Sequence, residues 1–189
     1  QMRGHHNDQP GALAEIDPEG KVLRITDASD PNVEKFIRPY SVAVVPKLDR
    51  IVTSSADMDE KDISHVVQVW RYSDLKLLKS IYLEGSQGVD PAEPRILSDG
   101  ETVMVSTFTC GLYRIVGLDT EDPSAEFVHA FEGKNCALPV VAGKYWVQTV
   151  PDSHALVSLD LSDPGKPVEV GRLTFGDKDK PHWISLEPN

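Results

Sequence analysis

The amino-acid sequence predicts an all-β chain built from a repeated four-stranded antiparallel unit, and three observations carry that expectation. A short apolar strand opened by a polar or proline residue recurs at 40–45, 93–97, 136–141 and 181–186. The first three are each followed by a tight turn and a β-branched strand, which is a hairpin pattern. A third strand, a turn rich in Asp, Ser, Pro and Gly, and a fourth strand then follow, so the unit returns about every 44 residues with one longer unit of about 54. Four strands at that period are the signature of a β-propeller blade. A β-sandwich also uses short, regularly spaced strands, but it does not repeat the same strand opening, hairpin and turn in order.

Taken along the chain, 12–17 and 21–26 read as the third and fourth strands of a first blade, joined by Asp17-Pro18-Glu19-Gly20. Proline fixes φ in such a turn and aspartate bonds its own backbone. Segments 40–45, 50–54, 66–72 and 77–83 make a complete blade, 93–97, 102–107, 112–118 and 125–131 a second, and 136–141, 145–149, 155–161 and 168–175 a third. The segment 181–186 opens a further one as its first strand. Residues 1–189 therefore read as a single propeller domain or a segment of one, with three complete and two incomplete blades. An open arc exposes apolar faces and strand edges. With Gln1 in place of an initiator methionine, the expectation is a segment of a larger, about seven-bladed ring, completed by remaining blades or a second chain.

Composition narrows the function classes. The 189 residues are 40% hydrophobic, and 19 Lys and Arg stand against 30 Asp and Glu for a net charge of −11. Nucleic-acid and acidic-membrane surfaces need clustered cations, so this balance argues against both. No apolar run reaches the eighteen or so residues of a membrane span. No phosphate loop, dinucleotide fingerprint, G-x-S-x-G or H-E-x-x-H is present, so no nucleotide cofactor is expected.

Blade topology sorts the reactive side chains. First strands cross the disc and second strands return, so first-strand openings and the loops between second and third strands share one face, termed here the upper face. His5, His6, His65, His154 and His182 map to it, with Glu93, Asp57, Asp59 and Asp62, whereas His129 falls on an outer strand. Imidazole, thiolate and carboxylate converging on a channel mouth suit a transition metal. The same residues also fit a polar loop surface. The acidic run 57–62 lacks the glycine and terminal glutamate of a calcium loop and reads as solvated. Cys110 and Cys136 also map to the upper face, in adjacent loops of neighbouring blades. Three fates stand open for them: a disulfide, which ranks first and would suit an exported protein, metal ligation, or burial as small hydrophobes. Trp70, Trp146 and Trp183 are expected to pack between blades.

The segments VVQVWRYSDLKLLKSIYL (66–83), DLSDPGKP (160–167) and PHWISLEPN (181–189) resemble the selenium-binding-protein group of β-propellers and, more loosely, propellers with Y-V-T-N or L-V-I-V-D repeats. That group includes copper-dependent methanethiol oxidases with histidines near the propeller channel. By position the resemblance implies His5, His6 and His182, then His65, as ligands of copper or another transition metal, while the blade topology makes Glu93, His154, Cys110 and Cys136 candidates for lining the channel or contacting substrate. It implies a metal-binding propeller with oxidation of a small thiol as its chemistry, and a bridge between Cys110 and Cys136 would favour a periplasmic or secreted location. The competing reading is a non-enzymatic propeller that serves as a scaffold for a small-molecule or protein ligand.

Overall fold

In a computed structural model that describes residues 11–33, 37–56 and 64–187, the chain forms three four-stranded antiparallel sheets and one two-stranded sheet. β1 (Ala12–Ile16) pairs only with β2 (Val22–Asp27). The first complete blade is β3 (Val42–Val45), β4 (Arg50–Thr53), β5 (Val66–Arg71) and β6 (Leu77–Tyr82). β7 (Pro91–Ile96), β8 (Val103–Thr107), β9 (Gly111–Val116) and β10 (Ser124–Ala130) make the second. The third holds β11 (Pro139–Ala142), β12 (Tyr145–Val150), β13 (Ala155–Asp160) and β14 (Val168–Thr174). In every blade the strands lie in sequence order, as a meander of hairpins requires. These are β-propeller blades, each with its first strand innermost.

Turn chemistry sets the register. Gly143, at φ +61°, closes the two-residue hairpin between Ala142 and Tyr145 in a conformation glycine adopts without cost. Pro46–Leu48 and Pro151–Ser153 are matching one-turn 3-10 segments, each ended by a left-handed residue, Asp49 or His154. The Asp49 carboxylate then accepts both the N–H and the hydroxyl of Ser73 at 2.7 Å, tying the first turn of its blade to the third.

Strand alternation produces the core between blades. Val52, Val67, Val69 and Ile81 of the first complete blade meet Val103, Val105, Tyr113 and Ile115 of the second. Met104, Leu112 and Phe131 on the second blade's other face meet Trp146, Val157 and Leu159 of the third. Leu13, Ala28 and Ile37 cover Ile51, Val66, Trp70 and Leu75 at the N-terminal end. Lower-face turns add polar links. Arg50 donates to the Thr120 carbonyl at 3.1 Å and Arg71 pairs with Glu121 at 3.2 Å, while Arg24 reaches back to the Tyr72 carbonyl at 2.8 Å.

Two expectations change. Residues 181–187 form no strand ladder, because no second strand lies beside them among the described residues. Trp183 accordingly is 74% exposed, whereas Trp70 and Trp146 are fully buried between blades and donate their indole N–H groups to Thr53 and Gln148. Among the described residues no helix is long and apolar enough to cross a membrane.

Candidate functional site at the upper channel mouth

The innermost strands place a buried carboxylate on the upper face, where the first and second complete blades meet. Glu93, on β7, is 8% exposed, and its Oε2 accepts the Ser41 hydroxyl at 3.0 Å while pairing with Arg95 Nη1 at 2.5 Å. Glu93 and Arg95 are two residues apart on one strand, so the alternation of side chains puts them on one face. Ser41 comes from the opening of the preceding blade's first strand, next to Tyr40, whose ring meets Phe108 edge-on at 5.7 Å. Burial, reinforced by the negative charge of Glu93, raises the Tyr40 phenol above its ordinary value and keeps it a protonated donor. A desolvated carboxylate costs several kcal/mol unless it is paired and hydrogen-bonded, roughly, and both conditions are met here. The cluster offers one anion, one cation and two hydroxyls within a short span of two inner strands. That chemistry suits a polar, hydroxylated small molecule.

The other residues named from the sequence divide. Cys110 and Cys136 are joined in a disulfide with Cα atoms 5.0 Å apart, so among their three fates the bridge is the one present. Cys110 sits at φ 68° in the turn between β8 and β9, and the following Gly111 presses against the Gln87 carbonyl where a Cβ would come within 2.5 Å. The bridge staples the second blade to the third inside their shared core. His65 lies toward the outside of its blade, stacked on Tyr82 at 5.1 Å with Nδ1 3.3 Å from the Leu83 carbonyl. His154 ends the tight turn after β12, with Nδ1 2.6 Å from the Asp179 carbonyl. His182 lies beside the inner strand of the third blade, its carbonyl accepting the Leu138 N–H at 3.2 Å. His129 is half-buried on β10, where desolvation lowers its pKa against the opposing charge of Glu169. His5, His6, Asp57, Asp59 and Asp62 lie outside the described residues. Among the described residues no three of His, Cys, Asp and Glu come together as a metal centre needs, and the bridged sulfurs are not thiolate donors.

Sequence reasoning singled out Glu93 but missed Tyr40, Ser41 and Arg95. The Glu93-Pro94-Arg95 alternation was a legible signal for Arg95. For Tyr40 and Ser41 there was none, since their partner lies some fifty positions away in the next blade.

The chain is built of β-propeller blades, and solved structures share this fold. No protein-family profile and no curated protein sequence matches it. A periplasmic gluconolactonase from Pseudomonas aeruginosa superposes with a TM-score of 0.69 at 15% identity, covering 96% of this chain and 55% of that one. A hypothetical selenium-binding protein from Sulfolobus tokodaii gives 0.56 at 15% identity, over 74% of this chain and 39% of its own. BamB from Moraxella catarrhalis gives 0.55 at 10% identity, over 87% and 44%. The chain thus spans between two fifths and just over half the length of these proteins, and it resembles the selenium-binding proteins in fold.

Proposed function

We propose that this chain contributes part of a ligand-binding β-propeller, in which a hydroxylated small molecule sits at the upper channel mouth against Glu93, Arg95, Ser41 and Tyr40. The observation that carries this reading is Glu93, a desolvated carboxylate on an innermost strand whose partners are polar groups from two blades. The gluconolactonase among the structural neighbours makes aldonic acids and their lactones the first probes. The test is the shift in melting temperature of the full chain with D-gluconate and D-glucono-1,5-lactone at millimolar concentration. The wild type is expected to rise by several degrees and Glu93→Gln to show no rise. A wild type that responds to neither probe sinks the reading for this ligand class and favours a protein-binding scaffold.

A second reading has support in the position of His182 at an inner-strand opening. There a copper site of the methanethiol-oxidase kind would draw on His182 with His5 and His6. Tag-free protein that retains copper after dialysis, and loses it in His182→Ala, would support it; protein that retains neither copper nor zinc and turns over no thiol would not. The disulfide fits an oxidising compartment and supports a periplasmic or secreted location.

A further inference from the structure

A second polar recess lies on the outer strands of the first complete blade, whereas Glu93 lies on an innermost strand. It is a cavity of about 250 Å³ between the loop that follows β2 and the last two strands of that blade, β5 and β6. Asp30 and Asn32 border it from the loop, Ser80 and Tyr82 from β6, and Val66 and Leu78 supply its apolar part. Lys79 borders it too, but strand alternation sends its side chain to the opposite face of the sheet, where the ammonium pairs with Asp122 of the second complete blade. Among the described residues Asp30 is therefore the one charge facing the recess.

The polar side of the recess is preformed by its own sequence. Pro31 fixes the turn, the Val33 N–H donates to the Asp30 carbonyl at 3.0 Å, and Asp30 Oδ1 accepts the Asn32 N–H at 2.9 Å and Nδ2 at 3.0 Å. Both side-chain bonds fall on Oδ1, so Oδ2 keeps acceptor capacity. Burial alone would raise the Asp30 pKa, but the Ser80 hydroxyl and the Asn32 amides outweigh it and hold the carboxyl below its ordinary value. Behind Ser80 the fully buried Gln68 donates Nε2 to the Ala28 carbonyl at 2.9 Å and to Ser80 Oγ at 3.2 Å. The Ser80 proton is thereby left for an acceptor on the recess side.

The remaining wall is aromatic. One face of the Tyr82 ring lies on the His65 imidazole, with centroids 5.1 Å apart and planes at 11°, and the residue is 64% exposed, so its other face is open. His65 is itself held by Leu83, whose N–H donates to the His65 carbonyl at 2.7 Å and whose carbonyl lies 3.3 Å from Nδ1. The platform is thus fixed before any ligand arrives, which lowers the cost of binding.

We propose that this recess binds one pyranose ring of a carbohydrate, its C–H face on Tyr82 and neighbouring hydroxyls on Asp30 Oδ2 and the Asn32 side chain. A sugar ring is the ligand class that presents an apolar face and, beside it, hydroxyls that both donate and accept. Asp30 accepts only, while the Asn32 amide does both, so the pair can engage two adjacent hydroxyls. The volume falls just below the roughly 300 Å³ at which drug-sized pockets begin, which suits a single ring. A quaternary ammonium would call for several aromatic faces around it, and Tyr82 alone lines the recess among the described residues. This site is separate from Glu93 and does not depend on what binds there.

Saturation-transfer difference NMR on the full 189-residue chain tests it, with methyl β-D-glucopyranoside, methyl β-D-galactopyranoside and methyl α-D-mannopyranoside at millimolar concentration as probes. At least one glycoside is expected to receive saturation, strongest on the C–H protons of one ring face. Tyr82→Ala and, separately, Asp30→Asn should each weaken binding at least about tenfold, as loss of an anchoring contact does. Tyr82→Phe, which keeps the platform, and Glu93→Gln should both retain it. No transfer to any of the three glycosides overturns the proposal, as does transfer that Tyr82→Ala and Asp30→Asn leave unchanged. Transfer abolished by Glu93→Gln would assign the sugar to the inner-strand site and overturn it equally. Tetramethylammonium that binds in place of the glycosides, and is lost in Tyr82→Ala, would make the recess a cation site and overturn it as well.

Discussion

The junctions between complete blades and the two ends of the arc are made from the same strands with the same alternation, yet they behave as different materials. At a junction, valines and aromatics from two sheets interdigitate and are almost fully buried. At the ends, residues of the same kind on the same lattice, such as Ile25, Val42 and Leu173, face solvent. A blade face is therefore not stabilising in itself. It becomes so when a second face removes it from water, at about 25 cal/mol per Å² of apolar area.

Substitutions placed on either side of this contrast should separate most widely. Trp146→Ala, at the junction of the second and third complete blades, removes a fully buried indole and strands the Gln148 carbonyl oxygen that accepts its N–H. The expected loss is about 3–5 kcal/mol in urea unfolding, with a cavity left behind. At the same junction, replacing Cys110 and Cys136 together with alanine should cost about 3 kcal/mol on the chain-entropy estimate for a loop of this length. Thiol titration of denatured, unreduced wild type should find no free thiol from this pair, and titrating thiols there would refute the bridge.

At the junction with the N-terminal sheet, Thr53→Val keeps the shape but leaves the buried Trp70 N–H without its 3.1 Å acceptor, for a loss of about 1–3 kcal/mol. A smaller effect belongs to the exposed rim. Hydrogen bonds from Lys144 and then Ser162 hold Asp160 at a pKa of about 2, below the ordinary carboxylate value of 3.8. A carboxylate whose folded pKa is depressed contributes stability above its unfolded pKa and loses it as pH falls through the folded value. Melting temperatures of wild type and Asp160→Asn should thus differ modestly near neutral pH and converge as pH falls from about 4 to about 2. Smallest of all, Leu173→Ala on the open C-terminal face should change unfolding by no more than about 0.5 kcal/mol in dilute solution.

Most of the blade architecture was legible because it is local. Hydrophobic alternation, β-branched runs and Asp, Pro and Gly turns act over a few residues, and they placed all fourteen strands to within a few positions. The pairing of Cys110 with Cys136 followed from the same frame, since a constant blade order puts adjacent upper-face loops side by side. The frame failed at Trp183, where the strand's partners are not among the described residues. It was also too coarse for His65. A position in an upper-face loop fixes height on the disc but not distance from the axis, and the imidazole turned outward onto Tyr82.

By itself the sequence determined the all-β class, the four-strand repeat, the order of strands in each blade and the acidic surface. These follow from side-chain periodicity, turn stereochemistry and charge, which need no knowledge of distant contacts. Only the tertiary structure decided which polar groups meet. Glu93 gains Ser41 from another blade, Arg50 and Arg71 reach Thr120 and Glu121, and apolar residues of equal character are buried or bare according to whether a neighbouring sheet stands against them. The physical reason is that strand formation is governed by neighbours along the chain, whereas desolvation and charge pairing are governed by whatever the closure of the ring brings within a few ångströms.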